Sequence, residues 1–394
     1  MDNYLRYKNI LAAQSFPYAF VDMEAFKKNV QINAERAKDK KIRIASKSVR
    51  CPDLMRLILD TNTTYQGLMA FHGKEAVFLS QQNFDDILLG YPIVDKAILQ
   101  EIGKEIQKGK YICLMVDLPE HLAIANEVGK AMNVIFPICI DIDLSNDFGP
   151  LHFGVWRSQV TDEKTLNSLL QQIKKNDFLR LDGLMGYEAQ IAGVADAIKG
   201  DPKNHIIRFL KKRSIPKVKS WRTKAIEMIR QEGFTLKFIN GGGTGSIEST
   251  LQEKDVTEIT VGSGLFQSHY FDNYTSFDLH PAIFFGIQIV RHPKPDIYTC
   301  HGGGYIASGA VDALKAPQVY LPEGAKLDKN EGAGEVQTPI HYKGKHSLGI
   351  GDPVFLRHTK AGEVCERFRE LLLIEDDTIT GTALTYRGFG GCFL

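Results

Sequence analysis

Ile42-Arg43-Ile44-Ala45-Ser46-Lys47-Ser48-Val49-Arg50 is the stretch on which the reading of the fold turns. Its alternating β-branched and small residues describe a buried strand, and that strand delivers one lysine at its C-terminal end, where the next helix must begin. An ammonium without a partner is costly to bury, so Lys47 needs a reason to be there. Two readings fit the stretch alone. Lys47 is either a solvated residue just past the strand end or an amine held in a pocket to form a Schiff base.

Outward from this strand the pattern repeats. Residues 18–22 form a short strand, and residues 23–38 follow with helical spacing at Phe26, Val30 and Ile32. After Lys47 comes a helix through Leu54, Leu57, Ile58 and Leu59. Short apolar runs then recur at 67–71, 86–91, 111–117, 134–143, 181–187, 236–240 and 258–261, each followed by enough chain for a helix. With the Lys47 strand these make eight. Eight strands alternating with amphipathic helices over about 250 residues predict a (β/α)8 barrel of the TIM type rather than an open doubly wound sheet.

The barrel spans residues 18–275 in this reading. Between its sixth and seventh strands the connection is overlong, and its basic, proline-broken run at 211–219 reads as a solvated face. From about residue 276 the alternation gives way to short strands with turn signals, at 284–291, 296–300, 318–321, 353–356 and 370–374. Residues 276–394, together with 1–17, therefore form a second, mainly β domain, in which 323–334 is a surface loop.

Composition narrows the function classes. The 394 residues are 43% hydrophobic and 24% charged, and Lys+Arg 48 against Asp+Glu 47 leave a net charge of +1. Nothing global attracts nucleic acid or an anionic membrane, and a small-molecule enzyme or binding protein is expected. The six cysteines contain no CxxC pair, which fits reduced thiols in a cytoplasm better than disulfides or a zinc ribbon. Residues 1–15 hold no apolar leader, and no run is long enough to span a bilayer, so a cytoplasmic, unexported protein is expected.

In a barrel of this kind the reactive groups come from the C-terminal ends of strands, and phosphate binds in the loops after the seventh and eighth. Those two loops carry Gly241-Gly242-Gly243-Thr244-Gly245-Ser246 and Gly262-Ser263-Gly264. Glycines let backbone amides approach an anion, and the hydroxyls add donors. A phosphate site across the mouth from a strand-end lysine describes a pocket for a phosphorylated aldehyde bound as an imine, for which pyridoxal 5′-phosphate (PLP) is the obvious candidate.

Lys47, the 141–155 segment, Gly186-Tyr187-Glu188-Ala189-Gln190 and the two glycine clusters resemble, in that order, the alanine-racemase-like fold-type III PLP enzymes. Within them the chain is most similar to the D-threonine aldolase and D-serine dehydratase branch. The resemblance implies that Lys47 is the Schiff-base lysine and that Gly243, Thr244, Gly245, Gly262 and Ser263 hold the phosphate. Tyr187 would lie beside the pyridine ring, and the assembly would be a homodimer. Relatives carry an arginine after a turn near the cofactor; here His152 is the best match and Arg157 a neighbour. Relatives also hold a divalent metal through a His followed two residues later by Cys or Asp. This chain has His358 followed by Lys360, so a metal would need His358 with Glu363 or Cys365. His152 and His358 are the candidate bases for the substrate's hydroxyl.

The expectation is a PLP-dependent lyase acting on a β-hydroxy D-amino acid by retro-aldol cleavage or by dehydration. An amino acid racemase and a non-catalytic PLP-binding protein are the alternatives, the latter disfavoured by the second domain. The glycine run at 302–304 is read either as a turn or as an approach to the barrel mouth of a second subunit.

Overall fold

The computed structural model describes residues 2–310 and 312–394. The strands, in chain order, begin with β1 (Tyr18–Asp22), β2 (Lys41–Ala45), β3 (Tyr65–Ala70), β4 (Ile87–Leu89), β5 (Ile112–Val116) and β6 (Phe136–Ile142). A hairpin, β7 (Asn146–Phe148) and β8 (Leu151–Phe153), precedes β9 (Leu179–Gly186), β10 (Phe238–Gly241) and β11 (Glu258–Val261). Strands β2, β3, β4, β5, β6, β9, β10 and β11 close into a parallel barrel, with β11 pairing back onto β2 through Ile259–Ile42 and Val261–Ile44.

Alternation along β2 sets the geometry. Ile42 and Ile44 are fully buried in the layer between strands and helices, while Arg43, Ala45 and Lys47 share the opposite, inner face. Deep in the barrel the Arg43 guanidinium pairs with Glu258 on β11 at 2.7 and 2.9 Å, over the Phe238 ring. Leu88, Cys113, Met115, Cys139 and Met185 fill the space beside it. The lumen is therefore plugged beneath its C-terminal mouth.

The second domain is one sheet in the order β15 (Lys326–Leu327), β16 (Gln337–His341), β13 (Ile297–His301), β12 (Ile283–Lys294), β1, β18 (Glu370–Glu375) and β19 (Thr378–Leu384). A branch of β14 (Gln318–Leu321) and β17 (Pro353–Arg357) joins it along β12. The stretch expected to be a plain loop at 323–334 carries the two residues of β15.

Two local readings are corrected. Strand β1 belongs to the second sheet, antiparallel to β12 and parallel to β18, although sequence placed it in the barrel. Its Asp22 explains why: the carboxylate caps the helix Met23–Ala37 through the Ala25 amide and also accepts bonds from Tyr7 and Arg6 of the N-terminal helix. The basic run at 211–219 is not broken. It lies inside one helix, Lys203–Gln231, with Pro216 in its interior. Lys211, Ser214, Val218 and Arg222 are buried at helical spacing, so packing outweighs the lost backbone bond; Lys212, Arg213 and Lys217 face solvent as expected. Lys211 itself pairs with Asp196 at 2.8 Å. In the glycine run 302–304, Gly304 approaches the backbone of Gly334 and Glu335, and Gly303 the side chains of Ile287 and Thr338, all within its own domain.

Candidate active site

Lys47 sits in the 3-10 turn Ser46–Ser48 that follows β2, and its side chain lines a cavity at the barrel mouth. The turn is clamped from the far domain. Arg50 donates from Nε to the Lys47 carbonyl at 3.0 Å and from Nη1 to Glu366 at 2.6 Å. A Cβ on Gly362 would stand 1.9 Å from the Lys47 carbonyl oxygen, so only glycine permits this approach. Beneath the turn, the fully buried Glu75 accepts from Ser46 Oγ at 2.6 Å, the Phe71 amide at 2.6 Å and Tyr386 Oη at 2.8 Å. Burial pushes its carboxyl up to about 7, against the pull of those donors.

Gly243, Thr244, Gly262 and Ser263 line the same cavity. The loop after β10 is held from behind by Glu188, at the end of β9. Its carboxylate accepts from the Gly242 amide at 3.2 Å, Ser246 Oγ at 3.0 Å and Thr250 Oγ1 at 2.6 Å. Arg222, which also pairs with Glu253, donates to Glu188 at 2.7 Å and balances it. The Thr244 hydroxyl accepts from the Gly264 amide at 3.1 Å, which fastens the two glycine loops together. A Cβ on Gly262 would meet Ser48 Oγ at 2.6 Å, and one on Gly243 would stand 3.3 Å from the Tyr187 ring. The donor set and the space left by the glycines fit the phosphate of a phosphorylated aldehyde, with Lys47 as its amine partner. Gly245 does not line the cavity; it packs against the Ala192 carbonyl. Tyr187 does line it, and burial pushes its phenol up to about 12.

The third wall is formed by Tyr91, just past β4, and Arg157, just past the β7–β8 hairpin. Arg157 donates from Nε to Asp141 at 2.7 Å and from Nη2 to the Gly90 carbonyl at 2.6 Å. Burial pushes the Asp141 carboxyl up to about 7, with Arg157 opposing. The Arg157 guanidinium carbon lies 4.9 Å from the Tyr91 ring centre and 5.9 Å from that of Tyr187.

Two of the expected site residues lie outside the cavity. His152 does not face the cavity. It sits on the hairpin, with Nδ1 2.9 Å from Asp147 and its ring stacked on Trp156 at 3.7 Å; the chain turns back afterwards, and Arg157 is the residue that enters. His358 is buried, with Nδ1 2.6 Å from the Lys360 carbonyl, and does not line the cavity either. Neither is placed to act as a base there.

Neither member of the proposed metal pair, His358 and Cys365, lines the cavity. Cys365 packs its thiol 3.3 Å from the Val49 carbonyl, where burial raises its pKa well above the thiol range, so it serves the Lys47 turn. Among the described residues no three His, Cys, Asp or Glu side chains converge on a cation site. Glu363 is engaged with Ser308 and Lys360, and the Lys360 ammonium sits 2.7 Å from Ser308 Oγ.

Sequence reasoning missed Tyr91, Asn240, Thr260 and Glu188. All but Glu188 line the cavity. Tyr91 and Asn240 each close an apolar run identified as a barrel strand, and the rule that strand ends carry function would have singled them out.

No protein-family profile matches the chain. A curated D-threonine aldolase from Arthrobacter sp. is 21% identical over 294 residues, covering 73% of this chain and 71% of that protein. Among solved structures, D-threonine aldolase from Filomicrobium marinum superposes with a TM-score of 0.81 at 17% identity, covering 96% of both chains. D-threo-3-hydroxyaspartate dehydratase from Delftia sp. HT23 gives 0.77 at 15% identity, covering 95% of this chain and 98% of that one. The chain thus has the alanine-racemase-like fold, a closed barrel joined to a mainly β domain. Among the described residues no helix is long and apolar enough to cross a membrane.

Proposed function

We propose that this protein, with its alanine-racemase-like fold, is a PLP-dependent lyase that cleaves the Cα–Cβ bond of a β-hydroxy D-amino acid. One observation carries the reading: a strand-end lysine and two glycine loops face each other across a single cavity at the mouth of the barrel. The relatives named above support the substrate class, being an aldolase and a dehydratase of D-configured β-hydroxy amino acids.

In this reading Lys47 holds the cofactor aldehyde, and Gly243, Thr244, Gly262 and Ser263 hold its phosphate. Arg157 and Tyr187, in contact with each other, would line the space beside the ring. Bound PLP supplies an electron sink for the pair released at Cα. Lys47, when not holding the aldehyde, would deliver the proton to Cα. The clamp of Arg50 and Gly362 keeps that amine at one height above the barrel while it exchanges partners. Tyr187 and Phe271 cover the cavity and limit water. We take the working unit to be a homodimer, a reading favoured by exposed Leu151 on the hairpin and Val155 and Trp156 just past it; light scattering tests it.

The test is spectroscopic and then chemical. Protein mixed with PLP should show visible imine absorbance that borohydride fixes covalently on Lys47. A protein that stays colourless with PLP overturns the cofactor assignment. Incubation with D-threonine should yield glycine and acetaldehyde in equal amounts. Keto-acid release would instead assign dehydration, and L-enantiomer alone would assign racemisation.

A further inference from the structure

With both histidines outside the cavity, the proposed reaction lacks a group to take the proton of the substrate's β-hydroxyl. We propose that Tyr91 is that group. The inference rests on the lyase reading above and adds a catalytic residue that neither sequence pattern nor resemblance singled out.

Tyr91 stands one residue past Gly90 at the C-terminal end of β4, and its ring lines the cavity between two cations. Lys47 Nζ lies 5.9 Å from the ring centre and the Arg157 guanidinium carbon 4.9 Å from it. Arg157 is fixed by Asp141 and the Gly90 carbonyl, so it cannot swing away. The remaining titratable neighbour on the cavity wall is Tyr187, whose phenol burial keeps protonated. Lys47 first and Arg157 second hold the Tyr91 phenol below its usual value by favouring the phenolate, with burial opposing. Tyr91 is also 43% exposed, so a proton it collects can pass to water. Tyr91 thus combines an ionisable oxygen, proximity to the Lys47 amine and access to solvent.

The step balances as follows. The Tyr91 phenolate takes the β-hydroxyl proton, and the O–H electron pair becomes the new C=O bond of the aldehyde. The Cα–Cβ bond breaks and leaves its pair on Cα, for which bound PLP would be the electron sink. Cα then takes one proton from the Lys47 ammonium, giving the product glycine, and Tyr91 returns its proton through water to Lys47. Substrate becomes aldehyde and amino acid with no oxidant, reductant or net proton.

Two readouts test this. The first uses the cofactor-free protein: ultraviolet difference titration should find one phenol ionising below the ordinary tyrosine range, absent in Tyr91→Phe and shifted upward in Arg157→Gln. The second separates the two protons in the PLP-loaded protein. Exchange of the glycine Cα hydrogen in deuterium oxide involves no β-oxygen, whereas cleavage of D-threonine does. Tyr91→Phe should lower cleavage on the order of 100-fold or more while lowering exchange less than about threefold, and Lys47→Ala should abolish both. Parallel losses in Tyr91→Phe, no loss in either, or a low phenol that survives the substitution overturns the role of Tyr91. Wild-type protein that stays colourless with PLP overturns the lyase reading itself, and this inference with it.

Discussion

The two sides of the barrel mouth are built on opposite principles. On the β10–β11 side, the loop amides and hydroxyls are braced by buried groups: Glu188 gathers three donors of the loop and its helix, Arg222 neutralises it, and Thr244 joins one loop to the other. On the β2–β4 side the groups facing the cavity are cations and a phenol held in place from behind. Lys47 is fixed through its carbonyl, Arg157 through Asp141, while the amine and the Tyr91 phenol remain open to a ligand. The first side is a mould whose shape is its function. The second is a set of reactive atoms on rigid mounts, and substitutions on the two sides should therefore fail differently.

The largest effect belongs to the reactive side. Lys47→Ala should remove the visible absorbance with PLP and lower turnover on the order of 1,000-fold or more, with the melting temperature nearly unchanged. Absorbance and calorimetry on the same sample check both halves. Next comes the mould. Glu188→Ala leaves Arg222 underpaired in the interior and frees the Gly242–Thr250 donors, and should cost about 3–5 kcal/mol of stability by urea unfolding, together with weakened phosphate binding. A variant that kept full stability would show that the loop holds its shape without Glu188.

Glu75 sharpens the comparison through pH. Its folded carboxyl stands at about 7 against an ordinary 4.5, so between those values the folded state holds more protons than the unfolded one. Stability therefore falls as pH rises through that window, by about 3 kcal/mol in all, and is free of the penalty below it. Glu75→Gln should flatten this slope, read as melting temperature from pH about 4 to about 8. The smallest effect is expected at Arg157→Lys, which keeps the charge but loses the fork that spans Asp141 and the Gly90 carbonyl. Cofactor retention should weaken roughly tenfold, measured by dialysis against PLP-free buffer.

Residue by residue, the legible part of the site is the part carried by strand ends and loop composition. Lys47, Gly243, Thr244, Gly262, Ser263 and Tyr187 all lie on one cavity because each follows a barrel strand directly. His152, on the hairpin, and Arg157, just past it, are separated by five positions, and nothing local tells which of the two returns to the mouth. The pairing of Arg157 with buried Asp141, 16 residues away, decides it. Likewise Cys365 looked like a ligand by its nearness to His358, but its neighbour in space is Val49, 316 residues earlier.

By itself the sequence determined the barrel, the second β domain and the lysine that faces two glycine loops. These follow from apolar periodicity and glycine composition, which act within a few residues and survive any tertiary context. Only the tertiary structure decided that β1 joins the far sheet, that the helix runs through Pro216, that residues 361–366 clamp the Lys47 turn, and that Tyr91 and Arg157 rather than the histidines complete the wall. Each of those depends on burial and hydrogen bonds between groups far apart in the chain, and such terms have no signature in local pattern.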